Sequence, residues 1–286
     1  MKFIICLLTF MSCVYLSQSQ IVADRPSASA SAVTVPEGGV QIESGFAYGE
    51  FNKYLKTKEY ALPMGLIRYG LISDLELRFA YNITKQSISD FENPRSFESF
   101  QFGFKKSVLK EEGLIPDLAF LSHYQLNNVK MGEFTKTDIN GSELSEPHLE
   151  HTFDIRIAFA YSLPIDFAFG GNLGVIVWEE TTLDKPVNSR GVVMSGADTF
   201  TRYFDLYQWT ANLEYTALDN LAFYSELFGD FKSDEARTDL NVGVKFLATQ
   251  NMQLDAFYVK VLSLPDSEIM NDDYYQIGFG FSYLWN

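Results

Sequence analysis

The side chains of this sequence with the chemistry for a site fall into two sets: three histidines, and a series of charged residues at alternate positions. Serine hydrolysis needs a base oriented beside the hydroxyl nucleophile. His123 follows Ser122 directly, and neighbours on an extended strand point to opposite faces. The spacing His-x-Ser, which would put both groups on one face, does not occur. The run Glu146-Pro147-His148-Leu149-Glu150-His151 has the residue types of a metal site. Pro147 blocks the helical spacing that sets two histidines side by side on zinc, so a polar loop is the plainer reading. Asp266, Glu268, Asp272 and Asp273 have the oxygen ligands for calcium or for cation bridges to lipopolysaccharide, and here too a solvated loop suffices. The expectation is no catalytic residue, no cofactor and no metal.

The charged set is informative because of what lies between its members. Tyr275, Ile277, Phe279, Phe281, Tyr283 and Trp285 alternate with Gln276, Gly278, Gly280 and Ser282. Tyr207, Trp209, Ala211, Leu213 and Tyr215 alternate with Gln208, Thr210, Asn212 and Glu214, and Phe100, Phe102 and Phe104 with Gln101, Gly103 and Lys105. A period of two is the mark of a half-buried strand. Twelve such segments follow one another, near 40–49, 60–70, 75–84, 98–107, 116–127, 150–162, 165–178, 203–217, 221–231, 238–248, 252–262 and 274–286. Five short connectors (72–74, 109–115, 164, 219–220, 250–251) alternate with six longer ones (50–59, 85–97, 128–149, 179–202, 232–237, 263–273).

The N-terminus supplies the context. Lys2, the apolar run Phe3–Leu16 and small residues Ser17 and Ser19 have the form of a secretory signal cleaved before Gln20. Both cysteines, Cys6 and Cys13, fall inside it, which removes disulfides and thiol chemistry from the expected mature chain. Gln20–Gly39 is a Pro/Ser/Ala-rich arm without strand or helix period. A net charge of −15 argues against nucleic acid, whose binding needs a basic face.

Alternation alone does not say which face is outside. A soluble barrel or sandwich would turn its apolar face inward; a membrane barrel reverses this. A ten-residue strand rises roughly 33 Å, which at about 40° tilt projects to about the 25 Å apolar band of outer-membrane barrels. Aromatics gather near segment ends (Phe46, Tyr48, Tyr81, Tyr161, Tyr215, Tyr283, Trp285), as interface girdles do. We therefore expect an all-β, transmembrane, antiparallel up-and-down barrel of about twelve strands over residues 40–286. It would sit in the outer membrane of a Gram-negative bacterium, with both termini periplasmic. Its partners would be outer-membrane lipids and lipopolysaccharide, the barrel-assembly machinery and a small-molecule permeant. Gly280, Tyr283 and Trp285 resemble the C-terminal signal read by that machinery, with Asn286 following the terminal aromatic.

Two patches carry a family resemblance. Asp24-Arg25-Pro26, Val35-Pro36-Glu37-Gly38 and Val40–Phe46 resemble the opening of the bacterial outer-membrane "MetA-pathway of phenol degradation" transporter family. Ile67-Arg68-Tyr69-Gly70-Leu71 followed by Asp74-Leu75-Glu76-Leu77-Arg78 is similar to that family's most recognisable hairpin. The resemblance implies a twelve-stranded, porin-like transporter for passive diffusion of a small, aromatic or hydrophobic solute.

With the aromatics outward, parity turns Glu43, Glu76, Arg78, Lys105, Asp117, Asp154, Arg156, Glu214, Glu226, Asp230, Asp239, Lys245 and Asp255 inward, nine acidic against four basic, an interior that favours cations. Arg68 has two readings. Strict alternation points it to lipid near the rim; a bulged turn brings it inward opposite Glu76. These residues are candidates for a constriction in a pore. The competing readings are a network that fills a plugged lumen, and a non-conducting structural or surface-interaction barrel whose long loops bind a partner.

Overall fold

A computed structural model describes residues 21–51, 57–88, 95–127, 136–137, 143–144, 150–183, 199–232, 235–263 and 274–286. The expected signal segment 1–19, His148 and the acidic loop 266–273 lie outside the described residues.

Twelve antiparallel strands form a closed barrel: β1 Val40–Phe51, β2 Thr57–Ile72, β3 Leu75–Ile88, β4 Arg95–Leu109, β5 Asp117–Asn127, β6 Glu150–Leu163, β7 Phe167–Leu183, β8 Thr199–Leu218, β9 Leu221–Lys232, β10 Glu235–Thr249, β11 Met252–Ser263 and β12 Tyr275–Trp285. Each pairs with its sequence neighbour, and β1 pairs with β12 from Val40↔Trp285 to Glu50↔Tyr275, so no edge is left open. Lys136–Thr137 and Glu143–Leu144 make a two-stranded ribbon apart from the barrel.

All twelve segments are present, but most strands run further toward the long-loop end than the apolar alternation does. The connector expected at 232–237 shrinks to the two residues between Lys232 and Glu235. Beyond the lipid-facing band a strand still pairs its backbone, yet its outward positions need not be apolar, so the extensions Lys85–Ile88 and Glu179–Leu183 carry no hydrophobic period.

The two faces are inverted relative to a water-soluble domain. Phe102, Ile157, Leu173, Phe223 and Phe279 are among many large apolar side chains left exposed, at 49–61%. The fully buried set includes Glu43, Arg68, Glu76, Lys105 and Glu226. Apolar surface on this scale needs lipid to cover it. Ring pairs such as Phe79–Phe102 (5.0 Å), Tyr207–Phe231 (5.1 Å) and Phe167–Tyr215 (4.8 Å) pave the outer wall across neighbouring strands.

Arg68 settles on the inner wall. A shift in register between Gly70 and Ile72, at the Ser73-Asp74 turn, sets Gly70 rather than Arg68 opposite Glu76. Arg68 then reaches Glu76 diagonally, with Nε–Oε1 and Nη2–Oε2 both at 2.9 Å.

Candidate functional site

The lumen is occupied by the chain's own N-terminal arm. From Ile21, whose N–H donates to the Gln250 carbonyl in the turn between β10 and β11, the arm enters at the short-turn end, climbs into the barrel and returns over Gly70 to β1. Its polar backbone is satisfied mainly by side chains of the wall, as buried N–H and C=O groups require.

The base of the arm meets most of the inward charges. The Asp24 carboxylate lies 2.7 Å from Arg78 Nη1, 3.3 Å from Lys105 Nζ and 3.6 Å from Arg68 Nη1. Glu76 accepts from Arg68 and from Arg78 Nη1 (2.7 Å), and lies 3.5 Å from Lys105. Glu43 pairs with Arg68 at 3.1 Å and accepts the N–H groups of Asp24 and Arg25. Three carboxylates therefore face three cations, and two of the carboxylates belong to the wall. Burial alone would raise the Asp24 pKa, but Arg68, Lys105 and Arg78 outweigh it and hold the carboxyl well below its ordinary value of 3.8. The returning limb is tied to the same cluster. Val33 C=O accepts from Arg68 (2.9 Å) and Lys105 (3.2 Å), and Val35 N–H donates to Glu76 (2.7 Å).

The tip, Ser27–Ala30, is held by fewer groups. Glu226 accepts from the N–H groups of Ala28 (2.7 Å) and Ser29 (2.8 Å). Asn172 accepts from Ala30 N–H (2.7 Å) and donates to Ala30 C=O (2.8 Å), imitating a strand neighbour. Asn241 donates to Pro26 C=O at 3.2 Å. Arg25 runs along the wall from β1 over β12 to Asp255 on β11 (3.2 Å). A Cβ at Gly45 or Gly280 would stand 2.2 Å or 2.4 Å from its guanidinium, so these two inward glycines make the groove in which Arg25 lies. Gly280, part of the suggested assembly signal, thus has a local packing role; Tyr283 and Trp285 lie side by side, rings 4.3 Å apart.

The remaining sequence-derived candidates form three further groups, the first of them linked to the Asp24 cluster. Asp154 is bonded by Arg156 and by His123 Nδ1 (2.7 Å), while Arg78 Nε donates to His123 Nε2 (3.0 Å), joining this pair to the Asp24 cluster. Lys245 and Glu214 pair at 2.6 Å on the opposite wall. Asp117 accepts from Glu111 N–H in the β4–β5 turn (3.0 Å), away from the cluster. Sequence reasoning missed Asp24 and Arg25 as lumen groups, because the arm has no period. It also passed over His123, whose parity with Asp117 would have placed it inward.

The tip divides the lumen. Toward the long loops, a cavity of about 220 Å³ lies against Ala28, Ile176, Leu206, Phe228, Arg237 and Asp239. Toward the short turns, one of about 380 Å³ lies against Ser27, Ser29, Ala160, Glu214, Lys245 and Gln253.

The family described as "Putative MetA-pathway of phenol degradation" matches residues 23–266. Among solved structures, an outer membrane channel from Pseudomonas putida F1 is similar at 12% identity and TM-score 0.60, covering 92% of this chain and 100% of that one. The beta domain of the Bordetella autotransporter BrkA is similar at 12% identity and TM-score 0.55, covering 86% and 99%. Both likenesses are of fold. No curated protein sequence matches the chain.

Proposed function

Because the chain belongs to the MetA-pathway of phenol degradation family and folds as an outer-membrane β-barrel, we propose that it carries a small solute passively across the outer membrane, through a lumen whose barrier is the arm tip. In this reading both termini and the short turns are periplasmic, and the long loops are extracellular. The observation that carries the proposal is the partition of the lumen by Ser27–Ala30 into cavities of about 220 and 380 Å³. Each exceeds the roughly 150 Å³ that accommodates a benzene ring in a protein interior. The upper one sets Ile176, Leu206 and Phe228 beside Asp239 and Arg237, a lining suited to a small ring with one polar substituent, in keeping with the family's association with aromatic degradation. Displacing four tip residues joins the two cavities, while the Asp24 cluster keeps the arm's base in place.

The test is passage itself. Purified full-length protein in planar bilayers should give small, rare openings, and liposomes containing it should admit a single-ring solute. Glu226→Gln should raise the open fraction, since it weakens the acceptor shared by Ala28 and Ser29. A second reading, a non-conducting barrel that acts through its loops, draws on the neutral, buried ion cluster that holds the arm. Absence of channel events and of uptake in both wild type and E226Q would establish that second reading and remove the first.

A further inference from the structure

Among the described residues the outer wall carries few charges, and those it carries are mostly cationic and local. Among the strand residues whose side chains are described, the ionisable groups on the lipid-facing parity, histidine and tyrosine aside, are Glu50, Lys58, Lys85, Lys106 and Lys260. Lys106 lies at the short-turn end, opposite Leu75. The other four cluster at the long-loop end of five adjacent strands. Lys260 pairs with Tyr275, Tyr275 with Glu50, and Glu50 with Lys58, in one row from β11 through β12 and β1 to β2. Lys85 of β3 sits opposite Tyr60, one step nearer the apolar wall. At a strand spacing of about 4.8 Å the row spans roughly 14 Å from Lys260 to Lys58.

Tyrosines fill the intervals. Tyr48 and Tyr60 pack with ring centroids 5.2 Å apart, and Tyr258 and Tyr275 stack at 6.4 Å. Glu50 accepts from the hydroxyls of Tyr48 and Tyr275, so the single carboxylate is engaged while all three lysines are exposed. Directly below lie Phe46, Ile277 and Phe279, exposed to lipid. A lysine on the outer wall is tolerated at the level of the lipid headgroups and costly within the hydrocarbon. Two of them share one row and the third lies one step below it, so in a chain of net charge −15 this patch is locally cationic and suited to a multiply charged anion.

We propose that this face of β11–β12–β1–β2–β3 binds the phosphates of an outer-leaflet glycolipid, the lipid A portion of lipopolysaccharide. The lysines would take the phosphates, the tyrosines the sugar and upper acyl region, and the wall of Phe46 and Phe279 the chains. The proposal rests on the reading that the long loops are extracellular, since only the outer leaflet carries this lipid.

The experiment uses the full-length protein in detergent, titrated with bis-phosphorylated lipid A and read by native mass spectrometry. Wild type should retain the lipid, with binding weakened by added salt. The triple variant Lys58→Gln, Lys85→Gln, Lys260→Gln should bind roughly a hundredfold more weakly, a factor of about five for each lysine near an anionic surface. Lys106→Gln should bind as wild type does. Dephosphorylated lipid A should bind wild type no better than phosphorylated lipid A binds the triple variant. Equal binding by wild type and the triple variant, equal loss in K106Q, or equal binding of phosphatidylglycerol would overturn the proposal. Heat-modifiable migration on gels verifies that each variant is a folded barrel. Because the titration is done in detergent, it stands whether or not the lumen conducts, and a reversed orientation in cells would refute the topology without altering the binding data.

Discussion

Replacing Asp24 by Asn isolates the arm's own charge in the cluster that holds its base. The side chain keeps its shape and can still accept the Ser31 N–H that now bonds Asp24 at 2.8 Å, so what disappears is one negative charge. Without it the wall sets Glu43 and Glu76 against Arg68, Arg78 and Lys105, all at most 8% exposed. Two against three leaves one cation uncompensated. Removing one partner of a buried ion pair costs about 3–5 kcal/mol. Here the lower end applies, because an undocked arm lets water reach the stranded cation, so D24N should destabilise the docked arm by about 3 kcal/mol. At about 1.4 kcal/mol per decade this shifts docking roughly a hundredfold. Two readouts follow. Elastase, which cuts after small residues, should cleave within Ala28–Ala32 about a hundred times faster in folded D24N than in wild type. The open fraction in planar bilayers should rise with it. Unchanged arm protection and unchanged conductance, in a barrel that still shows heat-modifiable migration, would refute the reasoning that charge balance seats the arm.

Further outcomes follow from the same geometry. Glu226→Ala removes the acceptor of two arm N–H groups, each bond to a charged group being worth about 1.5–3 kcal/mol; it should open the tip more often while leaving the Ile21 end protected, as hydrogen exchange would resolve. Gly280→Ala puts a Cβ against the Arg25 guanidinium, so arm protection should fall, and Arg25→Ala in the same chain should restore part of it. The Asp24 carboxyl is held below its ordinary value of 3.8, so its contribution to docking is complete above that value and is lost as pH falls through the lower, docked value. Arm release should therefore begin below about pH 4 and be absent at pH 5–6; release at pH 6 would mean another group controls it. A cysteine introduced at Ser189 should label from outside intact cells and one at Asp219 should not; the reverse result would invert the orientation.

The barrel was legible because lipid and lumen impose opposite demands on alternate residues. Phe100, Phe102 and Phe104 alternating with Gln101, Gly103 and Lys105 need no partner information to be assigned a face. Strand ends were less legible, since pairing continues past the level where outward residues must be apolar. Arg68 had two readings because the count from Leu62 runs through an irregularity between Ala61 and Met64, whereas its nearer neighbours Ile67, Tyr69 and Leu71, all exposed, alternate with it and set it inward. The arm's position was not legible at all. Its Ser/Ala tip docks through amides and carbonyls that every residue possesses, and the signal lay in the wall: Glu226, Asn172 and Asn241. Asn172, an amide within the charge-free run Phe167–Trp178, is the strand-like partner of Ala30.

The arm is joined to β1 through Pro36–Gly39 and fastened near its start by the Ile21–Gln250 bond. In the language of binding it is an intramolecular ligand with two short leashes. A short tether sustains an effective concentration on the order of millimolar, so a displaced tip finds its seat again without diffusing away. Closure is then the default that returns after each event, with no energy source or second protein required. A free peptide copying Asp24–Val35 would have to exceed that millimolar concentration to compete, which makes the barrier hard to hijack from the aqueous side.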